Sequence, residues 1–95
     1  MTRTDPRTAF NRAECWYRSV LDEAGGFVVG MRVSVHDAPS VQVETRHALD
    51  AVVARFGLDV GEPYGDIRHP VVAATGTVDG VPVEVFGPYV DPPVE

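Results

Sequence analysis

The dipeptide Asp79-Gly80 sits between two runs in which every second residue is small and apolar. Before it these are Val72, Ala74, Gly76 and Val78; after it, Val81, Val83 and Val85. A two-residue Asp-Gly loop favours the type I′ turn, whose twist matches that of antiparallel strands. Closing the chain there predicts Val78 opposite Val81 and Ala74 opposite Val85, with the apolar set on one face. A hairpin with one apolar face is not stable alone in water, so the rest of the chain must cover it.

Two segments have the spacing to do so. Asp5 is the expected cap of a first helix and Pro6 its first residue. Phe10, Ala13, Tyr17, Val20, Leu21 and Ala24 then form one helical stripe, with Trp16 at its flank and Gly25-Gly26 as the stop. A second helix is expected after Ser40, carrying Val41, Thr45, Ala48, Leu49, Val52, Val53 and Phe56 on one side. Val41 and Val43 also alternate, which leaves a start nearer Glu44 open. Gly57 ends this helix, and Leu58 folds back onto Val53 as in a Schellman motif.

Between the helices the period changes to two. Phe27, Val29, Met31, Val33 and Val35 alternate with Val28, Gly30, Arg32, Ser34 and His36, predicting a half-buried strand. Residues 59–70 lack periodicity and read as a long loop. The expected fold is α+β: a two-layer α/β sandwich in the order α-β-α-β-β, with two helices on one face of a three-stranded mixed sheet. Residues 1–95 form one domain, with flexible termini at 1–4 and 89–95. Pro82 lacks an N–H to share with a further strand. The last strand is therefore placed at an edge, with the first beside the hairpin's other strand; a central last strand remains open if pairing begins beyond Pro82.

The formal net charge is −6, unevenly spread. Through Val20 four arginines face two acids, a net of +2, which leaves −8 for the remainder. An acidic body lacks the clustered cations that duplex binding requires, so no direct nucleic-acid binding is expected. No apolar run is long enough for a membrane span or a signal-peptide core. One cysteine, Cys15, forms no internal disulfide, and a cytoplasmic protein is expected.

Catalytic and metal-binding patterns are sparse. Glu44, His47 and Asp50 share a helical side, but such carboxylate–histidine sets need ligands from further helices, and Arg46–Asp50 reads as an ordinary i,i+4 pair. His36-Asp37 lies at a strand end without a nucleophile placed to complete a triad. Neither glycine-rich phosphate-loop pattern nor a paired-cysteine zinc signature occurs. No cofactor, metal or enzymatic activity is expected. The second sheet face has no helix to cover it and would present Val71, Ala73, Thr75, Thr77, Pro82, Glu84 and Phe86, joined by Val28, Arg32, Ser34 and His36. An uncovered face of this kind serves as a contact surface, unless the loop after Gly57 or the tail around Tyr89 folds over it. The expected protein-binding residues are Arg32, His36, Glu84 and Phe86, with Asp59, Glu62 and Asp66 from the loop.

The stretch from Gly76 to Pro88, with Met31–His36 and Ala48–Phe56, resembles small uncharacterised accessory proteins of actinobacterial phages and plasmids. These share a V-x-V-x-V strand, an alanine-rich helix and a valine-alternating hairpin in that order. The resemblance spans Gly26 to Pro88 and transfers no functional residue. It implies a mobile-element setting, in which a small acidic protein acts as an inhibitor of a bacterial defence complex. The expected function is therefore a non-catalytic protein-interaction protein, with a small homodimeric structural or regulatory module as the alternative. A small metal-binding enzyme using His36, His47 and Asp50 is the second alternative.

Overall fold

The computed structural model describes residues 5–90; the expectations for residues 1–4 and 91–95 lie outside them. The chain runs through α1 (Pro6–Ala24), a single 3-10 turn (Gly25–Phe27), β1 (Val28–Arg32), β2 (Ser40–Val43), α2 (Arg46–Phe56), β3 (Asp59–Val60), β4 (Val71–Val78) and β5 (Val81–Pro88). The class is α+β as expected, but the mixed sheet has five strands in the order β1-β2-β5-β4-β3.

The hairpin forms as its sequence dictates. Asp79 and Gly80 both take positive φ, 51° and 79°, as a type I′ turn requires. Val78 pairs with Val81 and Ala74 with Val85. Val72, Ala74, Val83 and Val85 are buried beneath the helices. At the end of α2, Gly57 is left-handed at φ 66°. Its N–H and that of Leu58 both donate to Val53 O, at 2.9 and 3.1 Å, which closes the expected motif.

Four expectations about the strands need correction. First, Ser40 does not cap α2: residues 40–43 form β2, and Thr45 caps the helix by accepting from Ala48 N at 3.0 Å. Val41 and Val43 alternate into the core, both essentially fully buried. Second, residues 59–70 are not wholly loop, because β3 pairs with β4 through Asp59–Thr75 and Val60–Ala74. Third, β5 is central, antiparallel to β4 and parallel to β2. The parallel pairing starts at Ser40–Glu84, two residues past Pro82, so proline's missing donor falls beyond the end of β2. Fourth, β1 does not keep a single alternation. A bulge between Val28 and Gly30 resets it. Val28 packs against the core, while Phe27, Val29, Met31 and Val33 are exposed. Ser34 and His36 lie beyond the strand, in a turn where Ser34 Oγ accepts from His36 N and Asp37 N at 3.1 and 3.2 Å.

The first helix starts and stops where expected, with Asp5 accepting from Thr8 N at 3.3 Å and Gly25 at its C-terminus. Its buried stripe, however, is Ala9, Ala13, Trp16, Val20 and Ala24, and Phe10 is exposed. The small alanines let the helix sit close to its neighbours. Trp16 fills the space between layers, 5.1 Å from the Phe56 ring in an edge-on arrangement.

Within the sheet, β5 lies close against the end of β2 at Gly87. A Cβ there would lie 3.0 Å from Val43 Cγ2 and 3.1 Å from Val43 O, with Leu49 above it. Gly87→Ala is expected to cost about 1–3 kcal/mol, since the nearest atoms include backbone that cannot rotate away. A urea-unfolding midpoint equal to that of the wild type would contradict the close approach.

Candidate functional site

Both helices lie on one side of the sheet, so the opposite side is built from the outward half of each strand's alternation. Register fixes its membership. Gln42 pairs with Phe86, Phe86 with Ala73, Glu84 with Thr75, and Pro82 with Thr77. Asp59 pairs with Thr75 and extends this face to the β3 edge. Arg32, paired with Ser40, extends it to the β1 edge.

Glu84 ties this surface to the core. Its carboxylate accepts from Ser40 Oγ at 2.8 Å, and its carbonyl accepts from the Trp16 indole N–H at 2.7 Å. Ser40 is buried, and no histidine enters this pair among the described contacts. The hydroxyl therefore holds the start of the β2–β5 seam and is not set up as a nucleophile.

Phe86 is the largest side chain at the centre of the face. It lines two depressions. One, about 170 Å³, is bounded by Gly30, Met31, Arg32 and Gln42. The other is a groove of about 860 Å³, with Val29, Val71, Phe86 and Pro88 as apolar lining and Glu44, Arg68 and His69 as its charged or titratable members. One wall comes from the 61–70 segment. Here Tyr64 bridges to Val71, and Asp66 Oδ1 accepts from Arg68 N at 2.8 Å, forming a turn that projects Ile67 almost fully into solvent. At the end of the groove Tyr89 N donates to Pro70 O at 2.9 Å. The Arg46 guanidinium reaches the Tyr89 carbonyl at 3.1 Å and lies 5.6 Å from its ring centre.

Of the expected contact residues, Arg32, Glu84 and Phe86 are brought together on this face. Asp59 occupies its far edge. Glu62 and Asp66 are exposed on the loop but do not line the groove, and His36 is exposed in the turn after β1. Val28 belongs to the core instead. Sequence reasoning missed Val29, Gln42, Glu44, Ile67, Arg68 and His69. The alternation of Val41 and Val43 was the available signal for Gln42; the loop residues carried none.

A separate cleft of about 320 Å³ lies on the helix side, between α1 and the hairpin tip. Trp16, Val78, Val81 and Val83 give it apolar walls, and Arg12, Cys15 and Asp79 also border it. Among the described residues no group of three or more His, Cys, Asp or Glu is arranged to hold a metal ion. Arg46 and Asp50 form an ion pair at 2.8 Å. No described helix is long and apolar enough to cross a membrane. Comparison of the chain with protein-family models, with curated proteins and with solved structures gives no match.

Proposed function

We propose that this chain is a non-catalytic protein-interaction module that binds a partner protein through the helix-free face of its sheet. The observation that carries this reading is the groove of about 860 Å³ beside Phe86, half framed by strands and half by the 61–70 segment. Its apolar centre with charged residues at the margin has the composition of a protein contact site, in which a buried aromatic anchor is ringed by polar groups. Arg32 and Asp59, at opposite edges of the face, would set the orientation of a partner by charge. An inhibitor of a bacterial defence complex is the setting that the resemblance to mobile-element proteins supports, and cytoplasmic action goes with it.

The test is retention of a partner from host lysate by the wild type and by Phe86→Asp. A specific protein is expected to bind the wild type and to be lost at least about tenfold from the variant, because a carboxylate would replace the central anchor. Equal retention by a variant whose circular dichroism is unchanged would remove this face from the interaction.

A further inference from the structure

We propose that β1 is a self-pairing edge, and that two copies of the chain join through it into one continuous ten-stranded sheet. The inference goes beyond the partner-binding reading and does not depend on it.

The unpaired backbone comes first. Glu84 N donates to Pro39 O at 2.9 Å, and Glu44 N donates to Phe27 O at 2.7 Å. On β2, therefore, odd-numbered residues direct their polar groups to β5 and even-numbered ones to β1. Gln42 and Ser40 use Gly30 and Arg32 as partners. Met31, between them, aims its N–H and C=O at the edge that no other described strand covers.

Natural sheets blunt such edges with short strands, charges and prolines. The opposite edge is blunted: β3 has two residues, and Asp59, Glu62 and Pro63 occupy or follow it. The β1 edge has one charge, Arg32, and the exposed apolar residues Val29, Met31 and Val33. Its bulge displaces the residues before Gly30 and leaves Gly30, Met31 and Arg32 in regular register.

The strand is complementary to itself. In an antiparallel pair centred on Met31, each Met31 exchanges both backbone hydrogen bonds with its copy. Arg32 then stands opposite Gly30 of the partner subunit, with the exposed Val29 and Val33 flanking this three-residue pairing. Like charges never face each other. Gly30 has no side chain, so the guanidinium stem can lie across it, over the depression formed with Gln42 and Phe86. The contact surface is thus shared between subunits. Because β3 offers no second template, a two-fold pair closes and does not grow into a fibre.

Sedimentation equilibrium across the micromolar to near-millimolar range tests this. A reversible monomer–dimer equilibrium is expected, with the Met31 amide exchanging more slowly as concentration rises. Met31→Lys, which sets two ammonium groups face to face, should weaken association at least about tenfold. Gly30→Val should do the same while leaving the monomer folded, since a Cβ at Gly30 meets nothing closer than Gln42 Oε1 at 3.8 Å. Phe86→Asp should leave a dimer in place. A folded wild type that stays monomeric throughout would overturn the proposal, as would a dimer indifferent to both edge substitutions or one abolished by Phe86→Asp alone.

Discussion

Trp16→Ala is expected to remove a large share of the protein's stability. The indole is 2% exposed, packs edge-on against Phe56 and donates to the Glu84 carbonyl at 2.7 Å. Truncating a buried aromatic of this size costs about 3–5 kcal/mol in transfer and cavity terms. Domains of ordinary stability have only about 5–15 kcal/mol to lose. The change also strips a hydrogen-bond donor from the carbonyl of Glu84, at the start of the seam between β2 and β5. Trp16→Phe separates the two contributions: it keeps much of the packing and forfeits the donor, for an expected loss of about 1–3 kcal/mol. Urea unfolding followed by far-ultraviolet circular dichroism gives both numbers, since the fluorescence of the chain's single tryptophan disappears with the substitution. Equal losses for the two variants would mean that the hydrogen bond, not the packing, anchors α1.

Leu49→Ala should cost about 2–5 kcal/mol. Leu49 heads the fully buried side chains by volume and lies on α2 above Gly87 of the sheet. The surrounding walls include Val43 and Val85, both rigid at χ1, so collapse around the vacated space is limited. The melting temperature is expected to fall by at least about 10 °C for a domain of this length. A loss within about 0.5 kcal/mol, as at a surface site, would contradict the position of Leu49 at the centre of the core.

The hairpin was legible in the sequence because two local signals agree: the turn dipeptide fixes the register, and strict alternation fixes the face. Glu84 and Phe86 followed from the same alternation, and Arg32 from its neighbour strand. The end of α2 was legible because Gly57 and Leu58 act within a single turn. What was not legible depended on events outside a short window. The bulge at Val29 inverts the apparent apolar face of β1, and nothing in Val28-Val29-Gly30 announces it. Val41-Gln42-Val43 satisfies both a strand and the approach to a helix, and only pairing with β1 and β5 decides. β3 is too short to show any period. The central place of β5 rests on Ser40 meeting Glu84 across 44 residues of chain, a partnership without a local signature. The Pro82 argument identified a real restriction, and β5 takes the central order it had left open because pairing begins two residues beyond the proline. The groove walls contributed by Ile67, Arg68 and His69 were invisible for the same reason, since turn geometry and not residue type brings them to the sheet.

The location of β5 has a bearing on how the molecule is assembled. It is the last of the described strands in chain order, yet it lies between two that precede it. Until it arrives, β1 with β2 and β3 with β4 are separate ribbons, each with a raw inner margin and joined only by the α2 roof that touches both. Insertion of one late segment therefore turns two ribbons into a single sheet.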